Sequence, residues 1–177
     1  NDSKKDVSAY YDALGVKSKG MAALRLGQML AMLGRPIDSV LDVGYGNGDF
    51  LIACADAGIA AIGYDTSGYV VKHPRVKTYQ VNPECEYDWI LFGSYSVVTF
   101  YDSIEHFPRL DWLSRLKAQY VIISAPWCHW SADSPQFMAW KHRKPGEHMH
   151  HFSPWTLGEL MHAHGFELID TSNLEDA

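Results

Sequence analysis

Apolar and polar positions along this chain fall into two alternating kinds of block. Residues 21–34 (MAALRLGQMLAMLG) set apolar side chains at Leu24, Leu26, Met29, Leu30, Met32 and Leu33. That spacing, made of strong helix formers and closed by Gly34 and Pro36, predicts a helix. The twenty residues before it are polar with a tyrosine pair and are expected to be only partly ordered. Short apolar runs then recur: residues 39–44 (SVLDVG), 59–67 (IAAIGYDTS), 75–81 (RVKTYQV), 94–102 (SYSVVTFYD) and 119–127 (QYVIISAPW). Each reads as a strand bounded by turn residues. A sixth is expected at residues 166–170 (FELID). Helical segments lie between, at residues 49–58 (DFLIACADAG), at 103–118 (SIEHFPRLDWLSRLKA, interrupted by Pro108) and at 153–165 (SPWTLGELMHAHG). Strands alternating with helices imply a doubly wound, mostly parallel α/β sheet.

Composition narrows the class. The chain of 177 residues is 47% hydrophobic and 20% charged, as in one ordinary globular domain. Its net charge of −6 argues against sequence-independent binding to duplex DNA, which needs a basic face. The three cysteines, Cys54, Cys85 and Cys128, form no CxxC pair, which fits a reducing, cytoplasmic setting. No apolar run approaches the 18 residues of a membrane span, so no membrane partner is expected. No secretory signal is visible, and the chain does not begin with Met.

The chemistry starts in SVLDVGYGNGDFL, where glycines occupy positions 44, 46 and 48 directly after a strand. A glycine loop between a first strand and its helix is where doubly wound folds take a ligand against the backbone. A nicotinamide-binding loop would read GxGxxG. Here the third glycine comes one residue early, and Asp42 precedes the first by two. The acid Asp65 ends the next strand, about 20 residues on, where nucleotide-binding folds place a ribose ligand. Further along stand SVVTFYDSIEHF and EHMHHFSPWTLGELMHAHGFELI.

The D-x-G-x-G-x-G loop, the acid at Asp65, the strand leading into D-x-x-E-H and the H-x-x-x-F-S segment resemble, in order over residues 39–169, the class I S-adenosylmethionine-dependent methyltransferases. The closest match is to the small ubiquinone-biosynthesis-like type. The resemblance implies a Rossmann-like sheet of order 3-2-1-4-5 and then 6, with the seventh strand missing or truncated. It also implies a single domain over residues 1–177. Within it, 1–38 form a helical cap, 39–125 the cofactor-binding core, 126–155 an acceptor-side loop, and 156–177 the last helix and strand. Two departures stand out: Tyr45 replaces a small loop residue, and Ser96 stands where the family usually has Asp. The segment YDWILFG, residues 87–93, is a competing candidate for the fourth strand.

The resemblance also implies the site. S-adenosylmethionine would be held by Gly44, Tyr45, Gly46 and Gly48, with Asp42 supporting the loop or the amino group. Asp65 would take the ribose and Thr66, Ser67 and Asn82 would lie near the adenine. Tyr101 and Asp102 would face the methyl group. Methyl transfer to oxygen or nitrogen needs alignment and removal of a proton, a task suited to histidine. The catalytic candidates are His106, Asp102 and His151, with His150 beside the last. Asp102, Glu105 and His106 are spaced to share one face if helical, and with His151 they could bind Mg²⁺, Mn²⁺ or Zn²⁺. Small-RNA 3′-terminal 2′-O-methyltransferases carry a similar arrangement.

The acceptor is expected to be a small molecule. Trp127, Trp130, Phe137, Trp140, Phe152 and Trp155 could stack on an aromatic one, and Lys141 to Lys144 (KHRK) could meet an anionic one. The alternatives are a metal-assisted methyltransferase of RNA, DNA or a nucleotide, a non-catalytic cofactor-binding partner subunit, and a nicotinamide oxidoreductase.

Overall fold

A computed structural model describes residues 7–82 and 93–172, with residues 7–14 described as backbone only. The competing segment YDWILFG lies almost wholly outside the described residues. The elements in chain order are α1 (Val7–Leu33), β1 (Ser39–Val43), α2 (Asp49–Asp56), β2 (Ala60–Asp65), β3 (Val76–Gln80), β4 (Tyr95–Tyr101), β5 (Ala118–Ser124), α3 (Pro135–Ala139) and α4 (Pro154–Ala163). The five strands form one sheet in the order β3-β2-β1-β4-β5. β1 runs parallel to both β2 and β4, and β2 runs parallel to β3. The amide of Tyr95 donates to the carbonyl of Lys117, and that of Asp102 to Ser124, at 3.0 and 2.8 Å, so β5 follows the same direction. The expected α/β class and strand order hold.

The chain divides into two compact units, one of residues 1–99 and 117–122, the other of residues 100–116 and 123–177. In the first, α1 is two helices joined at Gly15, whose φ of 51° and ψ of −131° break the helical path. Its second part covers the helix expected from the apolar spacing. Ala22 and Met29 are its buried residues, seven positions apart on one stripe, while Leu24 and Leu30 remain exposed. α1 packs on α2, and α2 packs on β1, β2 and β3. Val40, Leu41, Leu51 and Cys54 are fully enclosed in this core.

The β1–β2 register explains a small residue in the middle of β2. Asp42 stands beside Gly63. A Cβ on Gly63 would lie 2.5 Å from Leu51 Cδ1 and 2.6 Å from Tyr45 Cδ1. The Tyr45 ring is thus laid against the β2 backbone, and its hydroxyl donates to the carbonyl of Tyr69.

In the second unit the helix expected over residues 103–118 does not form. Two single 3₁₀ turns, Ile104–His106 and Asp111–Arg115, replace it. Pro108 explains the break, since it donates no N–H, its ring would meet the carbonyl four residues earlier, and the residue before it is driven extended. Phe107 has that extended geometry, with φ −74° and ψ 127°. The turns pack around Trp112, which is 1% exposed, lies 5.9 Å from the Phe100 ring and 5.1 Å from the Phe107 ring, and donates through Nε1 to the Arg109 carbonyl at 2.7 Å. α4 begins as expected, with a capping box in which Ser153 and Thr156 bond each other's backbone amides. The sixth strand expected at residues 166–170 is absent. Leu168 and Ile169 are 69% and 73% exposed, and no ladder reaches them among the described residues. An apolar run becomes a strand only where a neighbour takes its backbone groups.

Replacing Gly63 by alanine should cost stability, because both neighbours of the new methyl are packed core side chains. Urea unfolding should show a loss of about 1–3 kcal/mol. A Tyr45→Ala background, which removes one of the two clashing groups, should shrink that loss.

Candidate functional site

β1 ends at Val43, and the chain turns through Gly44, Gly46 and Gly48 with φ of 83°, 56° and 76°. All three lie in the left-handed region, where a side chain strains the backbone. At Gly48 the space is also taken, since a Cβ would collide with Val71 Cγ2. This answers why three glycines stand at alternate positions after an apolar strand. Gly44 N donates to the Tyr64 carbonyl at 2.7 Å and Gly48 N to the Tyr45 carbonyl at 2.9 Å. The loop is pinned from below by β2 and closed on itself as a turn.

Asp65, at the end of β2, completes the fastening. Its carboxylate accepts from Gly46 N at 2.9 Å and from Ser67 N at 2.7 Å. The expected ribose ligand therefore also holds the glycine loop, a duty the spacing did not disclose. Asn47 ties the loop to α1 and α2 by donating to Ser18 Oγ at 2.6 Å and to Asp49 Oδ2 at 2.8 Å. Thr66 is exposed beyond β2 and Asn82 beyond β3. Tyr45, the departure in the loop, is 5% exposed, so its ring is core and only its backbone belongs to the loop.

Asp42 is the buried acid of this unit, 3% exposed, and accepts from Thr99 Oγ1 at 2.7 Å. Burial pushes its carboxyl up to about 7, against the pull of the Thr99 hydroxyl and the Arg25 charge. Thr99 was not singled out in the sequence. It is the one aliphatic hydroxyl in the apolar run VVTFY, and that was the available signal.

The second unit holds the remaining candidates. Tyr101 is buried at the end of β4, and Asp102 is exposed with φ of 51°. This backbone turn replaces the helix that would have put Asp102 on one face with Glu105 and His106. Glu105 and His106 are instead brought together with His148, so that one ligand atom from each lies within 4.8 Å of the others. Glu105 is 2% exposed, and neither of its carboxylate oxygens has a hydrogen-bond partner among the described residues. Burial pushes its carboxyl up to about 7. Its backbone carbonyl accepts from Met149 N at 2.7 Å and His150 N at 3.1 Å, which fixes the HMHH segment beside it. The His106 and His148 rings meet edge to face at 4.6 Å. Burial and the nearby His106 and Lys144 hold the His148 imidazole below its usual value.

His151 stands next to this group, its ring 6.4 Å from that of His148, but it is not one of the three that converge. Its ring is 5.0 Å from Phe137 and 5.8 Å from Trp140, and its Nε2 bonds the Arg143 carbonyl at 2.9 Å. With Trp130 edge-on to Trp140 at 5.7 Å and the Arg143 guanidinium over Phe137, this is an aromatic knot that braces the long loop. The HMHH run contains both His148 and His151, three positions apart, and only the tertiary contacts separate their surroundings. Of the loop aromatics expected to stack on an acceptor, Phe137 and Phe152 are buried and Trp155 is exposed.

A parallel sheet of this strand order, with a glycine loop at its first crossover and an acid closing its second strand, places the chain among the class I S-adenosylmethionine-dependent methyltransferases. It belongs to the family whose model is described as a methyltransferase domain, which matches residues 17–171. No curated protein sequence matches it significantly. Among solved structures it is similar to a SAM-dependent methyltransferase from Archaeoglobus fulgidus, at 21% identity and TM-score 0.60 over 84% of this chain and 69% of that one. It is similar also to an O-methyltransferase family protein from Burkholderia thailandensis, at 14% identity and TM-score 0.66 over 94% of this chain and 56% of that one. A third is the 1,6-didemethyltoxoflavin-N1-methyltransferase of Burkholderia thailandensis, bound to its substrate and S-adenosylhomocysteine. It is 20% identical, with TM-score 0.55, over 94% of this chain and 76% of that one. These likenesses are of fold. No helix among the described residues is long and apolar enough to cross a membrane.

The raised Asp42 carboxyl makes a testable pH dependence. With a folded pKa of about 7 against an ordinary value of 3.8, the folded protein keeps a proton that the unfolded chain loses. Stability therefore falls as pH rises between those values and stays low above about 7. Asp42→Asn removes that loss, so thermal unfolding without cofactor should favour the variant more at pH 8 than at pH 4.

Proposed function

We propose that this chain transfers a methyl group from S-adenosylmethionine to an oxygen or nitrogen of a small-molecule acceptor. One observation carries the reading: the glycine loop held open by Asp65 in a chain of the methyltransferase-domain family. The residues present fit the cofactor. The loop carries no Cβ at positions 44, 46 and 48, so a ligand can approach its backbone closely. A carboxylate offers about four acceptor sites, so Asp65 can hold two amides and still receive ribose hydroxyls.

When bound, the cofactor supplies an electrophilic methyl group on a sulfonium that leaves readily. The protein's part is to align the acceptor, exclude water and remove a proton where the acceptor carries one. The net charge of −6 disfavours a nucleic-acid acceptor. The third structural neighbour, an N1-methyltransferase with 1,6-didemethyltoxoflavin bound, is in line with a small acceptor.

Titration calorimetry of S-adenosylhomocysteine into the purified chain tests the cofactor. Micromolar binding is expected, weakened about tenfold to a hundredfold in Asp65→Ala through loss of charge-assisted hydrogen bonds. An affinity unchanged in that variant removes Asp65 from the cofactor site, and binding of a nicotinamide nucleotide in its place sinks the reading.

A further inference from the structure

We propose that Glu105, His106 and His148 form a mononuclear Zn²⁺ site. The donor set is one carboxylate and two imidazoles. Two nitrogen ligands disfavour Mg²⁺, which prefers octahedral oxygen, and suit Zn²⁺. Three protein ligands leave a fourth position open, as in zinc sites that take a water or an oxygen of a bound molecule.

Four features of the geometry support a built site. First, Glu105 is buried with both carboxylate oxygens unpartnered among the described residues, so a cation is the missing group. Second, each imidazole is anchored by one nitrogen. His106 Nδ1 bonds the Glu147 carbonyl at 3.0 Å, which makes it the donor and leaves Nε2 with its lone pair. That Nε2 lies 4.0 Å from Glu105 Oε1. His148 is likewise hydrogen-bonded to the backbone of His142. Backbone carbonyls behind metal-binding histidines orient the ring and choose the tautomer. Third, the two segments that carry the ligands are tied together at the Glu105 carbonyl, which accepts from both Met149 N and His150 N. Fourth, the required closure is small. Ligand atoms on one tetrahedral Zn²⁺ stand about 3.4 Å apart, and here they lie within 4.8 Å. The unpartnered Glu105 carboxylate and the exposed His106 ring can close that gap by side-chain rotation.

This ligand set differs from the one the sequence spacing suggests. Asp102 is not among the three that converge, and the Nε2 of His151 bonds the Arg143 carbonyl. The site does not depend on the methyl-transfer reading, since its ligands belong to one unit and can be tested without cofactor.

The test is calorimetric titration of ZnCl₂ into chelator-stripped, cofactor-free protein. One Zn²⁺ per chain is expected. Glu105→Gln and His148→Gln should each weaken it by at least about tenfold to a hundredfold, while His162→Gln on exposed α4 should not. Thermal unfolding of each variant checks that it is folded. Should a variant fail to fold, the visible spectrum of the Co²⁺-loaded unsubstituted protein decides. An intense four- or five-coordinate band displaced by Zn²⁺ supports the site, and a faint octahedral spectrum overturns it. No stoichiometric Zn²⁺, or equal affinity in folded Glu105→Gln and His148→Gln, also overturns it and leaves Glu105 as a neutral buried acid. S-adenosylhomocysteine binding measured on the same preparations reports separately on the methyltransferase reading.

Discussion

The hydrogen bond from Gly46 N to the Asp65 carboxylate is the contact on which the candidate cofactor site depends. A loop with three left-handed glycines has little to hold it, because glycine contributes no side chain and gives up much backbone freedom on folding. A charge-assisted bond from the end of the neighbouring strand offsets that cost and sets the loop's height above the sheet. The parallel β1–β2 register makes the contact reachable, since it pairs Val43 with Tyr64 and so ends both strands side by side. The loop's other fastenings, Gly44 to Tyr64 and Asn47 to Ser18, then orient a strand end that is already in place.

Two buried acids show how the same burial leads to different chemistry. Asp42 and Glu105 are both almost fully enclosed, and desolvation raises both carboxyls to about 7. Asp42 has the Thr99 hydroxyl at 2.7 Å and sits inside the first unit's core, where it braces β1 against β4. Glu105 has no side-chain hydrogen bond among the described residues and stands beside two imidazoles. A satisfied buried acid is architecture, whereas an unsatisfied one beside other donors is a place for a ligand or a proton.

The strands were legible because short apolar runs stand between turn residues, most plainly in the buried β1 and β4, whereas β3 (VKTYQ) is an exposed edge strand with a more polar sequence. The glycine loop and Asp65 were legible because their backbone demands restrict residue type. Residues 103–118 were legible only in part: the interruption at Pro108 was visible, but not that the pieces on either side of it would shorten to 3₁₀ turns. Residues 166–170 failed for a different reason, since pattern gives a strand its face but pairing gives it existence. The expected apolar face of α1 was partly misjudged as well. Leu24 and Leu30 lie five positions and one position from Met29, off the stripe that Ala22 and Met29 share, and both are exposed.

By itself the sequence determined the α/β class, the order in which strands and helices follow, the loop at positions 44–48 and the acid at 65. Those are local matters, settled by periodicity and by which residues tolerate a left-handed backbone. The tertiary structure decided which side chains meet. It laid Tyr45 in the core over Gly63, gave Thr99 to Asp42, and chose His148 over His151 as the neighbour of Glu105 and His106. These choices join residues tens of positions apart. They rest on strand register and on two amides donating to one carbonyl, and a linear pattern carries no record of either.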